Sequence, residues 1–192
     1  LLCENRKGYE NLCLLVSEAF TRGFYGKPRV DMELLEKYHE GLIATSACLA
    51  GAIPQYLMEE DYEAAKAHAL AMAKLFGPDH FYLELQDHKL PEQQEVNLGV
   101  LRIARETGLP LVVTNDAHYL RKEDAQMQDV LLCVQTGKTV DDPNRMKFQT
   151  EEFYLKSEEE LRQLFPNCEE AIENTAKIAD RCNLEFVFNE YH

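Results

Sequence analysis

Residues 81–120, FYLELQDHKLPEQQEVNLGVLRIARETGLPLVVTNDAHYL, decide the fold class. Phe81 to Leu85 is a short apolar run set between Gly77-Pro78 and Gln86-Asp87-His88, which predicts a strand. From about Glu92 to Glu106, Val96, Val100, Ile103 and Ala104 recur at helical spacing, and Gly108 supplies the left-handed residue that ends a helix. Leu111 to Thr114 reads as another strand, with Pro110 just ahead of it, where a missing N–H does least harm. A strand–helix–strand unit argues for parallel pairing, because the helix returns the chain to begin the next strand in the same direction.

Working towards the N-terminus, Gly41 to Thr45 reads as a buried strand and Ser46-Ala47-Cys48 as the turn after it. A short helix is predicted near Ala50 to Leu57, with Pro54 in its first turn. Asp61 caps a further helix with Tyr62, Ala65, Ala69, Met72 and Phe76 on one face. Earlier still, Leu1 to Cys3 suits a strand, and Tyr9, Leu12, Cys13, Val16 and Phe20 give residues 8–21 a helical apolar face, with Tyr9 and Phe20 expected in the core. Asp31 suits the N-cap of a short helix through Leu34, Leu35 and Tyr38.

Towards the C-terminus, Glu123 to Cys133 reads as helix and Thr136 to Thr150 as a long loop, of the kind that often carries function. Phe153 to Leu155 suits a short strand. Ser157-x-x-Glu160 is a capping-box signature, and Asn167 with Glu170 suggests a similar start for the last helix, with Ile172, Ala176 and Ala179 on one face. The whole reads as an α/β fold, parallel strands flanked by helices, without internal repeats.

The 192 residues suffice for one domain with its own core. Apolar runs are too short to span a bilayer and no secretory pattern opens the chain, which points to a soluble cytoplasmic protein. A formal net charge of -14 repels phosphate backbones, so this segment is not expected to be a main DNA-gripping surface. The six cysteines form no CxxC pair, which disfavours a zinc ribbon, and most fall at apolar positions as expected of core thiols.

Parallel α/β folds bind ligands at the carboxyl ends of their strands. Three such turns here carry metal-capable residues: Cys48 in the first, Asp87 and His88 in the second, Asp116 and His118 in the third. In an extended segment, residues two apart point the same way, so Asp116 and His118 are placed to address one cation. Imidazole and thiolate beside carboxylate favour a transition metal over calcium. A bland alternative stands beside each: turn chemistry for Asp116-x-His118, a small buried residue for Cys48, a helix cap or backbone partner for His88. His39, His68 and His80 are expected at the surface.

Long strings resemble the PHP (polymerase and histidinol phosphatase) domain of bacterial DNA polymerase III alpha subunits. They include Gly23-Phe24-Tyr25-Gly26-Lys27-Pro28-Arg29, Ser46-Ala47-Cys48-Leu49-Ala50-Gly51, Phe81 to His88, Thr114-Asn115-Asp116-Ala117-His118-Tyr119, and Asp129 to Lys138. The loop Asp141-Asp142-Pro143-Asn144-Arg145-Met146 and the tail Ala179-Asp180-Arg181-Cys182-Asn183 complete the series. The resemblance implies a distorted (β/α)7 PHP barrel, of which residues 1–192 would form the C-terminal two-thirds, including the 136–150 loop and a helical tail over 157–182. It implies a divalent-metal site (zinc, manganese or magnesium) supporting a phosphoesterase or 3′-5′ exonuclease, with Cys48, Asp116 and His118 at ligand positions and His88 on the same rim. It also implies DNA and other replicase subunits as partners of the intact polymerase.

The chain departs from that pattern as well. The family's His-x-His motif, an early Asp, a Thr-Asp-His-Gly turn and a Glu-bearing motif do not occur, so the segment is expected to hold a partial ligand set, to be inactive alone, and to self-associate through open sheet edges. Two alternatives remain: a non-catalytic PHP scaffold that stabilises the polymerase or docks a proofreading subunit, and a free-standing PHP phosphoesterase.

Overall fold

The computed structural model describes residues 1–186 and Phe188; the remaining positions of the expected 1–192 unit lie outside the described residues. Four strands form one sheet in the order β1 (Leu2–Cys3), β2 (Leu42–Thr45), β3 (Phe81–Leu85), β4 (Leu111–Val113). The pairs β2–β3 and β3–β4 are parallel, with Ala44 opposite Phe81 and Leu83 opposite Leu111. The edge strand β1 runs antiparallel to β2, with Leu2 opposite Ile43. Eight helices accompany the sheet among the described residues: α1 (Arg6–Thr21), α2 (Met32–Tyr38), α3 (Ala52–Met58), α4 (Tyr62–Phe76), α5 (Pro91–Thr107), α6 (Ala125–Thr136), α7 (Glu158–Leu164) and α8 (Glu169–Arg181). The α/β class and the strand–helix alternation are as the sequence predicts.

The two faces of the sheet carry different loads. Leu42, Ala44, Phe81, Leu83, Leu85 and Val113 point to one side, where Ala65, Ala69 and Phe76 of α4 and Val96, Val100 and Ile103 of α5 complete the main core. The alternate residues Ile43, Tyr82 and Val112 point to the other side and meet Ile178 of α8 in a much smaller cluster. Glu84 shares this second face by alternation, next to the carboxyl end of β3, where its carboxylate accepts hydrogen bonds from Gln86 Nε2 (2.7 Å) and from Thr114 Oγ1. Burial therefore drives one face of the sheet, and polar bonding finishes the upper part of the other.

Helix α8 lies along the outer edge of β4. Asn174 Nδ2 donates to the Leu111 carbonyl (2.8 Å) and Thr175 Oγ1 to the Val113 carbonyl (3.1 Å). These bonds satisfy backbone acceptors that an edge strand otherwise leaves open to pairing, so the expected open edge is absent on the β4 side. The same geometry corrects the face expected for this helix. Ala171, Ile172, Asn174 and Ile178 are buried, whereas Ala176 and Ala179 are exposed.

Local chemistry accounts for most helix starts. Asp31 and Asp61 accept from the backbone N–H groups of Leu34 and Ala64, and Ser157 with Glu160 forms the expected capping box. Gly108 ends α5 at φ 72°. Asn167 is not a cap: α8 begins after Cys168, without a side-chain cap bond. Phe153 to Leu155 does not form a strand, and Tyr154 makes an isolated bridge to Tyr119. Cys133 is buried, but Cys13 is exposed and the other four cysteines are only partly buried.

Helix α1 departs most from expectation. Its buried residues are Gly8, Asn11, Leu15 and Ala19, while Phe20 is 60% exposed and Val16 49% exposed. Tyr9 is only half-buried, edge-on to Phe186 at 5.2 Å. Close backbone approach, more than apolar size, selects the buried face. Gly8 sits against the Gly41 backbone, where a Cβ would collide with the carbonyl, and Asn11 Nδ2 donates to the Glu40 carbonyl at 2.9 Å. Gly8→Ala is therefore expected to destabilise the chain by about 2 kcal/mol, the scale of overpacking in a tight site. Urea denaturation checks this; a variant as stable as the wild type would mean that α1 is free to move away from β2.

Candidate metal centre at the carboxyl ends of the strands

The turns after β2, β3 and β4 lie at one end of the sheet, and each brings one of the expected residues. Cys48 follows β2, Asp87 and His88 follow β3, and Asp116 and His118 follow β4. The structure brings two of these together. Asp116 Oδ1 lies 3.6 Å from His118 Nε2, with both side chains about one-third exposed (32% and 40%). The pair faces one way for a different reason from the one expected. The turn is not extended: Asp116 adopts φ 43°, in the left-handed region that Asp tolerates better than most residues.

Cys48 does not join them. Among the described residues, no three His, Cys, Asp or Glu side chains form a metal-sized group, which corrects the expected convergence of Cys48 with Asp116 and His118. The cause lies in strand order. The Cys48 and Asp116 turns leave β2 and β4, which β3 separates, so two interstrand spacings of roughly 4.8 Å each intervene. Cys48 instead lines a small recess with Leu49, Pro54, Gln86 and Gln93.

His88 occupies the middle turn and is almost fully buried, at 1% exposure. Both ring nitrogens have protein partners. Nε2 donates to the Asn115 carbonyl at 2.8 Å, and Nδ1 lies 3.0 Å from Gln93 Nε2, which donates to it. That pair of partners fits the neutral tautomer with its proton on Nε2. Burial pushes its pKa below the ordinary histidine value, although the bond to the Asn115 carbonyl acts in the opposite sense. Asp87 performs turn chemistry, its Oδ1 accepting from Lys89 N at 2.7 Å.

The sequence reading missed the residues that hold the third turn in place. Asn115 Oδ1 accepts from Lys156 N (3.0 Å) while Nδ2 donates to the Lys156 carbonyl (3.2 Å), so one amide clasps the backbone of a segment 41 residues away. That segment brings aromatic rings onto the rim. Phe153 stacks on His88 at 4.1 Å and on Phe148 at 4.4 Å, and His118 packs against Phe148 at 4.8 Å and Phe153 at 5.6 Å. His118 N also donates to the Phe153 carbonyl at 2.8 Å, and Thr150 Oγ1 donates to the His88 carbonyl at 2.7 Å. An Asn beside an Asp-x-His pair was the available sequence signal; its distant partner was not visible.

Buried charges secure the same strap. The Glu152 carboxylate pairs with Lys122 (2.7 Å) and Lys89 (3.1 Å), and these contacts outweigh the upward pull of burial to lower its pKa. Lys156 is buried, donates to the Glu152 carbonyl and lies 4.4 Å from the Tyr154 ring centroid. Burial lowers its pKa from the ordinary lysine value. The strap is thus fastened at His88, Asn115 and Glu152, next to the Asp116–His118 pair.

The chain is similar to known proteins over almost all of its length. The PHP domain family matches residues 1–88. The DNA polymerase III subunit alpha of Treponema pallidum is 49% identical over 184 residues, which cover 96% of this chain and 16% of that protein. The subunit of the same name from Thermus aquaticus is 44% identical over 188 residues, covering 96% of this chain and 15% of that protein. That of Helicobacter pylori is 41% identical over 195 aligned residues, with 96% and 16% covered. The chain therefore spans about 16% of the length of the curated relatives it matches. The chain thus matches the PHP domain family over residues 1–88 and is similar, over nearly all of its length, to a segment of DNA polymerase III alpha subunits.

Proposed function

We propose that this chain is the PHP-bearing part of a replicative DNA polymerase III alpha subunit, and that its rim supplies Asp116 and His118 to a divalent-metal site completed by other residues of the subunit. The observation that carries this reading is the Asp116–His118 pair, held 3.6 Å apart on an accessible rim. A carboxylate and an imidazole so placed suit zinc or manganese, and the carboxylate alone suits magnesium. A metal ion there would supply Lewis-acid chemistry for a phosphodiester, of the 3′-5′ exonuclease type. The chain's own residues position the donors: Asn115 fixes the turn, Phe148 and Phe153 confine the His118 ring, and His88 orders the rim without offering a free nitrogen.

Two donors do not enclose an ion, so the chain alone is expected to bind divalent metal weakly and to show no nuclease turnover. In this reading the domain continues past residue 88 through the 136–150 loop and the 157–182 tail, and the four-stranded sheet is part of a larger (β/α)7 barrel. DNA and the other replicase subunits are partners of the intact polymerase. A second reading, a non-catalytic scaffold for the polymerase, is favoured by the large apolar residues left exposed on α6. A free-standing phosphoesterase is disfavoured, because the match to polymerase subunits extends over 96% of the chain.

Three measurements test these roles. In the full-length subunit, Asp116→Asn is expected to reduce bound metal and to abolish 3′-5′ degradation of a mismatched primer; stoichiometric metal without nuclease activity in the wild type would favour the scaffold. His88→Gln tests the buried neutral imidazole. Its lowered pKa means that the unfolded chain takes up a proton that the folded chain resists once pH falls below about 6.5, so its contribution to stability declines on acidification. The stability gap between wild type and His88→Gln should narrow between about pH 7.5 and about pH 5.5 in urea titrations, and a constant gap would contradict the assignment. Asn115→Ala leaves the Lys156 backbone groups without their partner, at a cost of about 1–3 kcal/mol. Faster proteolysis within residues 137–150 is expected, and an unchanged cleavage rate would show that the clasp does not restrain the strap.

A further inference from the structure

We propose that Glu84 is a positioning residue of the rim: through Thr114 it anchors the strand end that carries Asp116 and His118, and its charge is balanced by the cation that this pair holds. Glu84 is half-buried on β3, opposite Val112 of β4. Its Oε1 accepts from Gln86 Nε2 at 2.7 Å and from Thr114 Oγ1, and Gln86 Nε2 also reaches Thr114 Oγ1 at 3.2 Å. Thr114 follows the last residue of β4 and leads directly into Asn115 and Asp116. On the other side, Ser46 Oγ, just past β2, accepts from Glu84 N at 2.8 Å. One residue thus ties the carboxyl ends of all three parallel strands, two positions short of Asp116. The left-handed conformation of Asp116 needs such fixed surroundings.

The partners of Glu84 distinguish it from the other acids of the chain. Among the described residues, half-buried carboxylates elsewhere meet a positively charged or basic group, as Glu4 meets Arg181 (2.7 Å), Asp129 meets Arg145 (2.6 Å) and Asp116 meets His118 (3.6 Å), or they close a local turn or cap, as Asp87, Asp124 and Glu160 do. Glu84 does neither. Its side chain bonds only an amide and a hydroxyl, and the sheet face it shares continues into the apolar Ile43, Tyr82 and Val112. A carboxylate taken partly out of water beside apolar side chains is costly unless a positive charge answers it. No lysine or arginine of the described residues pairs with it, which leaves a bound cation at the neighbouring strand end to do so. Glu84 is not a third ligand, because no three such side chains form a metal-sized group among the described residues. It acts through the Thr114 hydroxyl and through its field, in the way that partners behind a metal's ligands set their orientation and affinity.

This role rests on the metal site proposed above, and the experiment separates the two. Manganese is titrated into the metal-free full-length subunit as wild type, Asp116→Asn, Glu84→Gln, Thr114→Val and Thr114→Ser; the binding that Asp116→Asn removes defines the site. Hydrogen exchange over residues 81–118 of each metal-free protein reports whether the sheet has loosened. Glutamine keeps an oxygen to accept from Gln86 and Thr114 and removes only the charge. Glu84→Gln is expected to raise the manganese Kd of the site at least about tenfold, with exchange in the metal-free protein unchanged or slower, since an unanswered charge is gone. Thr114→Val should weaken binding as well, and Thr114→Ser, which retains the hydroxyl, should restore it. Asp116-dependent binding of equal affinity in wild type and Glu84→Gln would overturn the role of Glu84 while upholding the metal site. Faster exchange together with weaker binding in Glu84→Gln would assign the carboxylate to the fold alone and also overturn it, and unchanged binding in Thr114→Val would overturn the anchor. A wild type without Asp116-dependent binding would overturn the metal site and this role together.

Discussion

The rim of this domain depends on one asparagine. Asn115 gives its main-chain carbonyl to His88 on the neighbouring turn and its side-chain amide to both backbone groups of Lys156. Three segments remote in sequence are thereby tied at one point. The bonds are not individually strong, but they lie beside a left-handed residue, Asp116, whose backbone conformation persists only where its surroundings over-determine it. The same knot brings Phe153 and Phe148 against the imidazoles of His88 and His118. Geometry at the pair is thus a property of the strap as much as of the strand that precedes it.

This arrangement divides the polar residues of the rim by role. His88 is buried and neutral, and both of its nitrogens have partners within the protein. His118 is exposed at its edge and faces a carboxylate. Two histidines close in space thus differ in access to solvent and in what their nitrogens meet. Cys48 sits on the far side of β3, where the width of one strand separates it from the pair.

Much of the fold was legible in the sequence because its local signals agreed with one another. The caps Asp31, Asp61, Ser157 and Gly108 and the apolar runs of β2, β3 and β4 all point to the elements observed. The failures share a cause. The buried faces of α1 and α8 were misjudged because contact there is made by Gly8, Asn11 and Asn174, whose value lies in close approach or hydrogen bonding and not in hydrophobicity. The Asp116–His118 pair was legible from its spacing, although the backbone achieves it by a left-handed turn. The roles of Asn115, Phe148 and Phe153 were not legible, because each acts through a partner from another part of the chain.

The polar bonds from α8 to β4 also settle one margin of the sheet. With Asn174 and Thr175 occupying the outward carbonyls of Leu111 and Val113, no additional strand can register beside β4 without first displacing a helix. At the opposite margin β1 is two residues long, Leu1 and Leu2 lie at the surface, and Asn183 N donates to the Glu4 carbonyl just past the strand. The outward carbonyls of β4 are thus spent on a helix, and that margin of the sheet is a finished one.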